Sequence, residues 1–145
     1  MLKLAITGST GRMGQMVLRE ANQDPSVEVV GALTRPGNLL VGQDVGILVG
    51  EGPLNIFVTD APEKAFAEAD VVIDFSSPEA LEKYRDAAIS QQKPYVVCMT
   101  GISDTQKAGL EKASKKIPLI LAPNTSLGIA LLRRLSLLAA EMLGP

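Results

Sequence analysis

Seven residues near the start constrain this chain more than anything after them. Gly8-Ser9-Thr10-Gly11-Arg12-Met13-Gly14 follows a short apolar run, Leu2-Lys3-Leu4-Ala5-Ile6-Thr7, and leads into a stretch where Met13, Met16, Val17 and Ala21 recur at helical spacing. An apolar run closed by glycine reads as a buried strand. The following helix is expected from about Gly11 to Asn22, stopped by Asp24-Pro25. Strand, glycine turn and helix in direct succession are the setting in which backbone N–H groups close around a diphosphate. The early glycines allow a sharp turn and close backbone approach, and the third lets helix pack on strand. The helix N-terminus adds unpaired donors and a positive dipole end. A Walker-type nucleotide loop is excluded because no Gly-Lys-Ser/Thr triplet ends the segment. The bland alternative is a plain glycine-rich turn in an α/β protein.

The remainder continues the alternation. Strands are predicted at Val27 to Leu33, Asn55 to Thr59, Val71 to Phe75, Pro94 to Met99 and Ile117 to Leu121. Helices are predicted at Pro62 to Glu68, from Pro78 to about Gln91, from Asp104 to near Lys115-Lys116, and from about Ser126 to Met142. Ser77, Ser103 and Ser126 stand where N-caps belong, with Pro78 at a first helical position. Residues 34–53 are glycine-rich without a clean period and read mainly as loop, with room for a short helical turn. The whole chain then reads as an α/β protein, a Rossmann-type doubly wound parallel sheet of about six strands with helices on both faces. Its length suits one domain, residues 1–145, and no internal repeat or linker interrupts it.

Composition removes several classes of function. A net charge of -2 and aromatics at 3% argue against a nucleic-acid surface, which needs cations and stacking rings. With no histidine and a single cysteine, Cys98, no metal site is expected, and acid–base work would fall to Lys, Asp, Glu or Tyr. One thiol fits a reducing compartment, so a cytoplasmic location is expected. The opening apolar run is cut off at Gly8, too soon for a secretory signal. The most apolar late stretch, Leu127 to Leu143, carries Arg133, Arg134 and Glu141, so no membrane span is expected.

Within a dinucleotide site, an acid at the tip of the second strand normally grips the ribose hydroxyls, about 20 residues past the loop. At that point stands Thr34, followed by Arg35. A neutral side chain next to a planar cation suits a 2′-phosphate, and Arg12 can add a second positive charge. The cofactor expected is therefore NADP(H) by preference, with dual use of NAD(H) left open. The other binding residues should come from the carboxyl ends of later strands: Asp74-Phe75-Ser76-Ser77-Pro78, Cys98-Met99-Thr100-Gly101 and Ala122-Pro123-Asn124-Thr125-Ser126. Asp74 is expected to order its turn, Cys98 to be a small buried hydrophobe, and Ser126 to cap the last helix. That helix has Leu127, Ile129, Ala130, Leu131, Leu132, Leu135, Leu138 and Leu143. One stripe should pack on the sheet; the rest exceeds what one face can bury, so an exposed apolar patch and self-association are expected.

Three segments carry a more specific likeness. Gly8 to Gly14, Val72-Ile73-Asp74-Phe75-Ser76-Ser77-Pro78 and Ala122-Pro123-Asn124-Thr125-Ser126-Leu127-Gly128 together resemble dihydrodipicolinate reductase. The middle loop, with Gly37-Asn38-Leu39-Leu40, Gly42-Gln43-Asp44 and Gly46, is similar to that family too. The likeness covers nearly the whole chain but only the family's amino-terminal, cofactor-binding half. It implies that Arg12 and Met13 line the pyrophosphate, Arg35 the adenosine ribose and Phe75 the nicotinamide. It implies that Thr100 reaches cofactor and substrate, and that Asn124 and Ser126 sit near a hinge. The family reduces 4-hydroxy-tetrahydrodipicolinate with hydride from NAD(P)H in lysine and diaminopimelate biosynthesis, usually as a tetramer. Where the family has Gly-Thr-Thr-Gly, this chain has Cys98-Met99-Thr100-Gly101, two of them bulkier. The family's paired histidines, lysine and carboxylate-binding loop have no counterpart here, so no catalytic residue is assigned and the substrate domain is expected to be absent. The competing readings are a stand-alone NAD(P) sensor and a relative of aspartate or homoserine dehydrogenases.

Overall fold

The computed structural model describes residues 1–144. The chain runs β1 (Leu2–Thr7), α1 (Arg12–Gln23), β2 (Val27–Leu33), α2 (Val45–Val49), β3 (Val58–Thr59) and α3 (Pro62–Phe66). It continues through β4 (Val71–Asp74), α4 (Pro78–Ser90), β5 (Tyr95–Val97), α5 (Asp104–Ala113), β6 (Leu119–Leu121) and α6 (Leu127–Leu143). All six strands are parallel, ordered β3-β2-β1-β4-β5-β6. The chain builds outward from β1 on one side, then returns to add β4 on the other. The junction of β1 and β4 is thus the point where the winding reverses and where ligands settle in open sheets.

The period-two alternation of β1 divides the core. Leu4 and Ile6 face a layer with Leu18 and Ala21 of α1 and Val45 and Val49 of α2. Ala5 faces the other layer, with Phe66 of α3, Leu81 and Tyr84 of α4, and Leu110 of α5. Helices therefore cover both faces, as the alternation of elements predicts.

The predicted strand from Asn55 to Thr59 shrinks to Val58–Thr59. Its first residues are claimed by a carboxylate: Leu54 and Asn55 donate their N–H groups to Asp44 at 3.1 and 2.6 Å. Asn55 has φ 60°, and Phe57 makes an isolated antiparallel bridge with Asp44. The same Asp44 caps α2 through Gly46 and Ile47. One side chain thus organises the glycine-rich stretch. These backbone N–H groups hold the Asp44 carboxyl below its usual range, that of Leu54 contributing most. At the later strands, β5 and β6 are shorter than predicted by two or three residues.

The largest departure concerns α6. No residue of α6 is buried, so the stripe expected to pack on the sheet does not. Leu132 is 59% exposed and Leu135 55%. Ile120 and Leu121 of the edge strand β6 are exposed as well. Nothing among the described residues lies opposite this surface.

Candidate functional site: a groove at the carboxyl ends of β1, β2 and β4

The glycine loop has the geometry that its residue types demand. Gly8 adopts φ 65°, and a Cβ there would lie 2.6 Å from the Phe75 carbonyl oxygen. The end of β4 therefore presses directly on the turn. Gly14 is tighter still: a Cβ would come within 2.2 Å of the Gly8 carbonyl oxygen. The third glycine thus lets the helix sit against the loop itself rather than against the strand. Gly11 donates to the Gly8 carbonyl at 2.9 Å and is the N-cap of α1, with no side chain to cap the first turn. The leading N–H groups of α1 are left for a ligand.

Two cavities meet along this edge. One, of about 230 Å³, is lined by Gly8, Thr10, Gly11, Thr34, Arg35 and Ser76, and also by Asn38 and Tyr84. The other, of about 360 Å³, is lined by Met13, Cys98, Asn124 and Ser126. Phe75 borders both, so together they form one groove across the strand ends. Larger hollows exist, including one of about 490 Å³ near Met1 and Leu54. That one gathers residues from the amino ends of β1 and β2, away from the glycine loop, and lacks a helix N-terminus. The groove is the better candidate because phosphate donors and an orphaned polar atom converge on it. That atom is Ser76 Oγ, which is buried with no hydrogen-bond partner. The uncapped first turn of α1 behind the glycine loop and the unsatisfied hydroxyl of Ser76 are what a bound dinucleotide would satisfy, so the residues fit such a cofactor.

The ends of the central strands are tied by a buried carboxylate. Asp74 is fully buried and accepts from the Thr7 and Tyr95 hydroxyls and from the Ser76 N–H at 2.8 Å. Asp74 therefore orders its turn, as expected, and also clamps β1, β4 and β5 together. Three donors on one buried carboxylate offset much of its desolvation. Burial, reinforced by Asp74, pushes the Tyr95 phenol far up, so it remains a donor. Burial and Asp74 also raise the half-buried Cys98 thiol, which disfavours the thiolate. Met99, its bulky neighbour, is 5% exposed and belongs to the core layer under α4 and α5. It does not crowd the groove.

The expected residues do not all converge. Arg12 and Arg35 are exposed, with no ion-pair partner among the described residues. Arg35 borders the smaller cavity; Arg12 lines neither. Thr100 and Gly101 are exposed and lie outside both. Ser126 caps α6 by accepting from the Ile129 N–H at 3.4 Å and also borders the groove. Ser77 takes the N-cap position of α4, but its hydroxyl makes no capping bond.

Two polar residues of the groove escape sequence reasoning, Asn38 and Tyr84. Tyr84 is 1% exposed and reaches from α4 to the Thr34 carbonyl at 3.3 Å. Asn38 is delivered by a turn in which its N–H donates to the Arg35 carbonyl at 3.3 Å, with Pro36 and Gly37 (φ 75°) in the middle. Pro followed by glycine at positive φ is a turn signal readable in Arg35-Pro36-Gly37-Asn38. It could have placed Asn38 beside Thr34 in advance.

A parallel sheet of this strand order, with a glycine-cradled helix N-terminus at its switch point, defines a Rossmann-type dinucleotide-binding domain. The family described as dihydrodipicolinate reductase, N-terminus, matches residues 2–125, and the chain belongs to it. The 4-hydroxy-tetrahydrodipicolinate reductase of Pseudoalteromonas atlantica is 39% identical over 144 residues, covering 99% of this chain and 54% of the relative. That of Alkalilimnicola ehrlichii is 42% identical over 142 residues, covering 98% and 53%. A dipicolinate-bound dihydrodipicolinate reductase from Paenisporosarcina sp. TG-14 superimposes with TM-score 0.73 at 24% identity, covering 97% of this chain and 54% of that one. The chain thus spans about half the length of the relatives it matches. Family membership sets aside the aspartate and homoserine dehydrogenase reading.

Proposed function

We propose that this chain is the NAD(P)H-binding domain of a 4-hydroxy-tetrahydrodipicolinate reductase of lysine and diaminopimelate biosynthesis, and that it prefers NADPH. The observation that carries the reading is the groove itself, where the Gly8 turn, the uncapped start of α1 and Ser76, whose hydroxyl is unpartnered, border one cleft. The relatives' names supply the substrate. Bound there, the cofactor would supply hydride. The protein's part is placement. Backbone N–H groups of the glycine loop and first turn of α1 receive the diphosphate, and the Arg35 guanidinium answers a 2′-phosphate. Phe75 separates the adenosine end from the nicotinamide end, where Met13, Asn124 and Ser126 stand. The Asp74 clamp holds the loops after β1, β4 and β5 in register.

Proton delivery and substrate grip fall to the domain formed by the part of the relatives' length that this chain does not match, and we assign no catalytic residue here. Assembly as a tetramer through that domain and a cytoplasmic location complete the proposal. Among the described residues no helix is long and apolar enough to cross a membrane. Calorimetric titration of the chain with NADPH and NADH tests the reading. Uptake of NADPH, tighter than NADH and weakened in Arg35→Ala, is expected. Uptake of neither would end it, and enzyme-like turnover of substrate by this chain alone would refute the placing of the catalytic residues outside it.

A further inference from the structure

The larger of the two cavities is lined by two sulfur side chains, Met13 and Cys98, in a chain with five methionines and one cysteine. They differ in how open they are to oxidation. Met13, the second residue of α1, is 48% exposed. Its thioether has no proton to lose, so a peroxide can oxidise it without prior ionisation. Cys98 is half-buried, and burial together with Asp74 disfavours the thiolate, the form in which a thiol attacks. Of the other methionines, Met99 lies in the core, while Met1, Met16 and Met142 are exposed and border neither cavity of the groove. Met16 is a matched control: it stands on the same helix and is 55% exposed.

We infer that Met13 is an oxidation site that closes the groove: a peroxide converts its thioether to the sulfoxide, and the chain then loses its hold on the dinucleotide. The inference rests on the cofactor reading above and adds a redox control to the same groove. In the step, a lone pair of Met13 Sδ attacks one oxygen of hydrogen peroxide. The S–O bond forms as the O–O bond breaks, and a proton shift lets the other oxygen leave as water. Sulfur gives up two electrons and the peroxide takes them. An apolar, flexible side chain becomes a polar and chiral one. The new oxygen is an acceptor on the cavity that Phe75, Ala122 and Pro123 line, beside the uncapped first turn of α1. There it competes with a diphosphate for unpaired N–H groups and sets a polar atom against apolar surface.

The experiment treats the full chain with hydrogen peroxide, with and without saturating NADPH. Peptide mass spectrometry reads the sulfoxide at each methionine, and titration then reads NADPH affinity. Without cofactor, Met13 and Met16 should both oxidise; NADPH should slow Met13 and leave Met16 unchanged. The oxidised chain should bind NADPH about tenfold or more weakly, the scale on which a misplaced polar group acts. Methionine sulfoxide reductases of both epimer specificities should restore the affinity. Met16→Leu should keep the unaltered chain's affinity and its loss on oxidation. Met13→Leu, measured against its own untreated affinity, should lose almost nothing. Should it fail to fold, Met13→Gln, equally inert to peroxide, takes its place. Full affinity in a chain oxidised at Met13 overturns the inference and leaves the cofactor reading standing. So does a Met13 that stays reduced while Met16 oxidises, or a loss that persists in Met13→Leu, which would point to Cys98. Failure of the unaltered chain to bind either NADPH or NADH overturns both.

Discussion

Helices α4 and α6 make an instructive pair. α4 is the less apolar of the two, yet it buries Leu81, Tyr84, Ala87 and Ala88. α6 has leucines on every side and buries nothing. The difference lies in what faces them. α4 lies over the sheet between α3 and α5, where β1, β4 and β5 present Ala5, Val72, Tyr95 and Val97. α6 leaves the end of β6 and meets no such surface. Hydrophobicity supplies the drive to bury, but only an opposing apolar face turns it into stability.

The comparison breaks most readily through core truncation. Leu81→Ala should cost about 2–5 kcal/mol, because it opens a cavity in a fully packed layer. Leu132→Ala should stay within about 0.5 kcal/mol, as substitutions on a solvated surface do. Urea unfolding midpoints read both, and equal losses would mean that α6 packs in solution as α4 does. A second, smaller effect concerns association. The exposed surface of α6 and β6 should drive self-association at high concentration. Light scattering should show that Leu132→Lys with Leu135→Lys shifts the mass toward the monomer; a strictly monomeric unaltered chain would contradict this.

The smallest effect belongs to the loop that the packed body does stabilise. Asp44 has its carboxyl depressed in the folded chain, so its contribution is fully present above the ordinary aspartate value of 3.8 and is lost as pH falls through the lower folded value. The stability gap between the unaltered chain and Asp44→Asn should therefore be open at pH 7 and should narrow below about pH 4. A gap that is constant with pH would remove Asp44 as the charged anchor of residues 44–55.

Much of the groove was legible in advance because its signals are local. Glycine spacing, the cap serines and the apolar runs each act within a few residues, so β1, α1, β2 and the loop between them fall where predicted. Asp44 and Asn38 were harder. Each works through partners up to about one turn or one strand away in space that pattern reading treats as featureless loop. Thr100 and Gly101 were placed by motif position alone, and neither borders the two cavities.

By itself, then, the order of residues determined the alternation of strand and helix and the phosphate-receiving turn, since backbone preference and short-range periodicity suffice for both. Tertiary structure alone decided that Asp74 would clamp three strands, that Met99 would turn inward while Cys98 faced the groove, and that α6 would stand uncovered. Those outcomes depend on which surfaces meet across the sheet, and contact between distant segments leaves no periodic trace along a single chain.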